Sequence, residues 1–325
     1  RVLVSMTSDH AYYRLHFDDD AVVELVIENL RDQARLPGVN LPCYCPDFGT
    51  VSTAKYWGGA TRFDSTGGHI FIDPAAQTLE EALALTPRPV DDPAMDAARG
   101  LRLYRRVCER LETDALWFRT PDLQGVLNTA GLVVQQQELL MAMYSEPALV
   151  HAFLDRVCDH LIAYARYLAR ETGGKLCGSI WPFTVLPIDL GVCFTEDLLP
   201  LLSAEMYREF GLPYTRRLAA AFGGAQIHCC GDWGRHAGVL RAADFGLRAV
   251  EFHYPFTSID ALAALAPETV FVTYLIPDRQ DRYRDSFDYY RRLLAETPHR
   301  YWFPLTTESP EGWAFLAEVE ACCSP

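Results

Sequence analysis

From Asp114 onward, short apolar or β-branched runs alternate with longer amphipathic stretches, the pattern of a parallel sheet wrapped by helices. Leu176–Ile180 reads as a strand, and Ser203–Phe222 as a helix with Ser203 as its cap and Glu205 in its first turn. The series continues with strands Ala225–His228, Arg248–Phe252, Val270–Leu275 and Tyr301–Leu305. Between and after them come helical stretches at Trp233–Ala243, Ile259–Leu265, Ser286–Glu296 and Glu311–Cys322. Upstream, Ser145-Glu146-Pro147 marks a helix start, Ser as cap and Pro in the first turn, for an amphipathic run reaching Glu171. Ala21–Gln33 is helical, Cys43–Gly68 is loop-rich, and the Pro- and Asp-rich Thr86–Met95 is a loop. The pattern predicts an α/β fold of the (β/α)8 TIM type. It forms one domain over residues 1–325 with an N-terminal helical and loop extension.

Composition narrows what such a fold does. At 325 residues and 50% apolar, the chain buries a large core. No run approaches the roughly 18 apolar residues of a membrane-spanning helix. Arg1–Met6 is too short and too weakly charged for a signal peptide, so a cytoplasmic location is expected. A net charge of −14, from 43 acidic against 29 basic residues, disfavours nucleic acid and anionic membranes. Small molecules or another protein remain as partners, and a homodimer stays open. Of the ten cysteines, those scattered singly, Cys108, Cys158, Cys177 and Cys193, read as small core hydrophobes.

Active sites of this fold lie at the C-terminal ends of the strands. The segment Gln226-Ile227-His228-Cys229-Cys230-Gly231 ends a strand at His228 and carries Cys230 into the following loop. Imidazole and thiolate are preferred zinc ligands, so this pair is the leading metal candidate, beside the bland alternative of a buried histidine among core cysteines. Glu251 ends the next strand, either completing the site or pairing with Arg248 as a structural acid. Glu308, in the loop after the last strand, is the candidate fourth ligand. Cys322 and Cys323 follow the last helix and are expected at the opposite face, while Cys43 and Cys45 form a weaker rival pair without a histidine. Asp189, Tyr274 and Asp278 are candidate catalytic residues, and Asn128, in a turn before Gly131, and Asp232 are candidate ligand contacts.

The segments Leu202–Phe210, Leu212-Pro213-Tyr214 and Ile227–Gly231, together with Asp47–Gly58 and Glu138–Ala169, resemble the uroporphyrinogen decarboxylase superfamily, closest to its corrinoid-dependent methyltransferase branch. That resemblance implies a zinc ion on His228 and Cys230 and on a late cysteine. Glu251 is similar in spacing to a zinc-ligand glutamate of the related cobalamin-independent methionine synthases. The decarboxylases' arginine-rich N-terminal motif does not occur in Arg1–His16, and Leu305–Pro310 stands where the methyltransferases carry a Gly-Cys-Gly turn. An oxygen donor such as Glu308 in that place suits Lewis-acid activation of a methoxy or methylamine compound.

The expected function is zinc-dependent methyl transfer between a small methyl donor or acceptor (a methoxy, methylamine or thiol compound) and a corrinoid protein. The alternatives are a decarboxylase or lyase on a polycarboxylate such as a porphyrinogen, with Asp189 or Asp278 as proton donor, and a non-catalytic ligand-binding barrel. Arginines converging on the mouth would favour the decarboxylase.

Overall fold

Among the residues described by the computed structural model (2–7, 18–35, 41–45, 48–63, 70–180, 184–306 and 310–323), twelve strands form three sheets. They are β1 Val2–Thr7, β2 Cys43–Tyr44, β3 Ala60–Phe63, β4 Ile70–Asp73, β5 Trp117–Arg119, β6 Leu176–Ile180, β7 Thr184–Pro187, β8 Val192–Thr195, β9 Ala225–Cys229, β10 Leu247–Tyr254, β11 Val270–Leu275 and β12 Arg300–Thr306. The largest sheet runs β1-β12-β11-β10-β9-β8 and is parallel throughout. A second runs β2-β5-β6-β7, parallel except that β7 turns back antiparallel on β6. The two meet where Gln124 bridges Thr195 and where Gly178 presses on Cys193; a Cβ on Gly178 would lie 2.7 Å from that of Cys193, which keeps this position to glycine.

The parallel α/β architecture expected from the pattern is present. The strands form two arcs, not one closed ring of hydrogen-bonded strands among the described residues. The β3–β4 hairpin is an element the loop-rich reading of Cys43–Gly68 missed.

Alternation along each strand decides which side chains reach the site. Phe252 meets Phe271 edge-on at 6.2 Å, the Thr273 hydroxyl lies 2.9 Å from the Tyr289 hydroxyl of helix Ser286–Glu296, and Phe303 stacks on Tyr290 of that helix at 4.2 Å. This is the face that the helices cover. Tyr44 and Phe118 pack likewise on Tyr104 of helix Asp96–Leu111. Their strand neighbours Arg119, Gln226, His228, Glu251, His253 and Tyr274 therefore belong to the other, inner face. One irregularity sets this parity: Leu247 pairs with Ala225 but Ala249 with Gln226, so Arg248 is the extra residue of a bulge. Its guanidinium donates to the carbonyls of Leu190 at 3.1 Å and Gly223 at 2.9 Å, at the N-terminal ends of the strands. Arg248 is thus committed far from Glu251, and the structural pairing entertained for those two residues is corrected.

The helices follow the apolar stripes. In Pro147–Glu171, Val150, Phe153, Leu154, Val157, Leu161, Tyr164 and Leu168 are buried at helical spacing. Its cap is Glu146; Ser145 instead ends the preceding helix Gln136–Ser145, because the chain breaks only at the residue before the proline. Ser203 caps as expected, accepting from the Met206 N–H at 3.2 Å, but Gly211 divides the run into Ala204–Phe210 and Leu212–Ala220. No helix among the described residues is long and apolar enough to cross a membrane.

Candidate metal centre

Parallel pairing places the site residues in levels. Thr195 pairs with His228 and His228 with Glu251, while one level nearer the strand C-termini His253 pairs with Tyr274. Cys230 and Asp197 leave β9 and β8 at this upper level. One ligand atom each from His228, Cys230 and His253 lies within 4.8 Å of the other two. His228 Nε2 is 3.0 Å from Cys230 Sγ, and the His228 and His253 rings meet at 5.4 Å and 67°.

Behind this group, Glu251 Oε1 is 3.2 Å from His228 Nδ1, with the glutamate 0% exposed at its side chain. Neither carboxylate oxygen has another hydrogen-bond partner among the described residues. A carboxylate on the Nδ1 side keeps a proton on Nδ1, so that Nε2, which faces Cys230, is the nitrogen that would give up its proton to a metal. Burial pulls the His228 pKa down, but the Glu251 charge and the Cys230 contact outweigh it and hold the imidazole well above its ordinary range. Burial pushes the Glu251 carboxyl up, and His228 pulls it back. His253, half-buried and facing His228, is lowered to about 4 by desolvation and the His228 charge, against a smaller pull from Asp197.

Asp197 supports the loop: its Oδ1 accepts the Cys230 backbone N–H at 2.8 Å and lies 4.0 Å from His228 Nε2. Beside it Glu196, buried, accepts the Asn128 N–H at 2.8 Å at the start of helix Val126–Val133. A Cβ on Gly125 would stand 2.4 Å from Glu196 Oε2, so glycine makes room for that carboxyl. Burial raises the Glu196 pKa to about 8, against the pull of the Asn128 and Leu127 N–H groups.

Two imidazoles and a thiolate on one face suit zinc, and the exposed Cys230 leaves the group open to a further ligand from outside. His253 was not read from the sequence as a donor. Its signal was the Glu-x-His spacing, which puts Glu251 and His253 on one face of a strand. Asp197, Glu196 and the inward Arg119 carried no motif.

Tyr274 stands next to His253, rings perpendicular at 5.5 Å, with burial and the Glu251 charge holding its phenol well above pKa 10. The other expectations fare differently. Asn128 is on a helix, not in a turn, and its amide is spent on Gln124 Oε1 at 2.8 Å and the Leu198 N–H at 3.0 Å. Asp189 is displaced to the far end: β7 returns antiparallel along β6, pairing Pro187 with Cys177, so the exposed turn after it sits at the N-terminal ends of the strands. It cannot serve a site at the opposite end. Asp278 is exposed on the turn Pro277–Arg279, and exposed Asp232 is engaged with Arg235 at 3.6 Å, a surface pair. Glu308 lies outside the described residues, as do the side chains of Cys322 and Cys323. Cys43 approaches Cys177 and Arg119 rather than a histidine. Among the described residues, the charged side chains next to Cys230 in the chain or bonded to its backbone are the exposed carboxylates Asp197 and Asp232, the latter paired with Arg235.

Comparison with known proteins gives these observations a setting. Residues 124–266 match the family model of uroporphyrinogen decarboxylase (URO-D). The methylated-thiol–coenzyme M methyltransferase of Methanosarcina mazei is 32% identical over 113 residues, 34% of this chain, and that segment spans 27% of the relative's own length. A solved methyltransferase from Methanosarcina mazei superposes with a TM-score of 0.68 at 12% identity, covering 99% of this chain and 95% of that one. At that identity the likeness shows a shared α/β fold.

Proposed function

We propose, from the premise that this chain carries a uroporphyrinogen decarboxylase family domain over residues 124–266, that it is a zinc-dependent methyltransferase acting between a small methoxy, methylamine or thiol compound and a corrinoid held on a partner protein. The observation that carries this reading is the convergence of His228, Cys230 and His253 within 4.8 Å at the C-terminal ends of the strands. Zinc bound there would supply Lewis acidity, lowering the pKa of a thiol or polarising an ether or amine.

The chain's own residues do the rest. His228 and His253 present imidazole nitrogens from neighbouring strands, and Cys230 presents a thiolate from the loop. Glu251 fixes the His228 ring from behind, and Asp197 pins the Cys230 backbone. Relative to a site with two cysteines, one thiolate fewer leaves more positive charge at the centre, which favours a neutral or anionic heteroatom as the incoming ligand.

Metal analysis tests the reading. Protein produced with zinc present should carry about one equivalent, and His228→Ala less than about a tenth, since loss of one of three protein ligands leaves no stable site. Zinc-free wild-type protein, or zinc retained in full by the variant, overturns it.

A further inference from the structure

The Tyr274 hydroxyl is shielded from solvent and has no hydrogen-bond partner among the described residues. Leaving a buried donor unmade costs about 1–3 kcal/mol, and phenylalanine would fill the same volume without that cost. The side chain is on the inner face, because Thr273, its neighbour, faces the helix through Tyr289. It pairs in register with His253 and stands edge-on to that ring at 5.5 Å, at the level of the candidate metal ligands. Nor is the hydroxyl spent on Glu251, the buried carboxylate of the adjacent strand, whose Oε1 faces His228 Nδ1 instead. A donor is thus held beside the metal group, with no acceptor among the described residues.

We infer that Tyr274 forms a hydrogen-bonding subsite for the substrate: its hydroxyl donates to a second polar atom of the small molecule whose heteroatom is held by His228, Cys230 and His253. The ligand class is therefore a small bifunctional compound, a metal-binding sulfur, oxygen or nitrogen with a hydrogen-bond acceptor close by, rather than a simple alkyl thiol or ether. This rests on the proposed metal reading. A site built to bond a polar group discriminates strongly against an isostere lacking it, since the protein's own donor is then left unpaired.

The test uses the full chain loaded with cobalt(II), whose thiolate charge-transfer absorption reports binding without turnover. Wild-type protein and Tyr274→Phe are each titrated with 2-mercaptoethanol and with 1-propanethiol, which matches it in length but lacks the hydroxyl. Wild type should bind 2-mercaptoethanol about tenfold more tightly than 1-propanethiol; the variant should bind both alike, with its 1-propanethiol affinity unchanged. Equal binding of the two probes by wild type, or a preference that survives in the variant, overturns the subsite. Failure of Tyr274→Phe to take up cobalt also overturns it, because the hydroxyl would then serve the metal group itself. If wild type takes up no cobalt, the metal reading falls and the subsite with it, whereas bound cobalt without probe preference sinks the subsite alone.

Discussion

Between Val250 and His253 one strand carries two chemistries on alternate residues. Val250 and Phe252, each 0% exposed, pack toward the helices, whereas Glu251, also 0% exposed, and His253 face the inner side with His228. The inner faces of barrels of this type are usually filled with Val, Ile and Leu. Here Arg119, Cys193, Gln226, Glu251 and Tyr274 occupy that face, and Cys193 Sγ donates to Gln226 Oε1 at 3.5 Å. The outer face gains from burial, at about 1.5–3 kcal/mol for each large apolar side chain. The inner face gains little and in places loses, as the fully buried Glu251 carboxylate and the Tyr274 hydroxyl, unbonded among the described residues, indicate. Stability and function are thus separated by a single residue step along the chain.

The sharpest way to break this comparison is to change the outer face alone. Phe252→Ala empties a fully buried site and should cost about 3–5 kcal/mol of unfolding free energy, read by urea denaturation. Zinc bound per folded molecule should stay at the wild-type value, although both sequence neighbours face the metal group. A variant that lost metal while keeping its stability would show that the two faces are not separable.

The helical shell contains its own polar exception, which gives the next largest effect. His160, 8% exposed on helix Pro147–Glu171, lies against Tyr56 at 5.0 Å and Trp57 at 5.8 Å, and its Nε2 has no hydrogen-bond partner among the described residues. Burial lowers its pKa to about 4. The unfolded chain takes up this proton near pH 6.5 but the folded chain only near 4, so stability is intact above about 6.5 and falls as the pH drops through that window, by about 3 kcal/mol in all. His160→Gln should remove that part of the acid slope. Denaturation of both proteins at pH 7 and pH 4.5 isolates the difference, and identical slopes would refute the assignment.

How much was readable beforehand divides along the same line. Strands such as Leu176–Ile180 and Val270–Leu275, and the helix Ser286–Glu296, coincide with the structure because they show continuous apolar runs or helical stripes that local propensity supports. His228 and Cys230 were legible from chemistry at a strand end. His253 was not, because its membership depends on parity, and the bulge at Arg248 shifts pairing against β9 by one residue. Asp189 was misplaced for a related reason: nothing local distinguishes an antiparallel return strand such as β7 from another parallel strand, so the turn after it was assigned to the wrong end. Asn128 looked like a free mouth residue, and only the fold reveals that it ties helix Val126–Val133 to Gln124 and Leu198.

The smallest expected effect bears on Glu251, whose sequence reading as a ligand and whose position behind His228 point to different roles. A ligand must lie on the Nε2 side with Cys230 and His253; Glu251 instead contacts Nδ1, at 3.2 Å. If it orients the ring, Glu251→Gln keeps an oxygen able to accept the Nδ1–H but loses the charge that strengthens the imidazole as a donor. Zinc affinity, measured by competition with a chelator, should then fall by about 10–100-fold, the usual effect of removing such a partner, with binding still stoichiometric at high metal. Stability of the zinc-free protein should hold or rise slightly, because an amide is less costly to bury than a charged carboxylate. Loss of zinc binding altogether, at every metal concentration, would instead make Glu251 a direct ligand, and the inner face would then contribute four donors from two neighbouring strands and one loop.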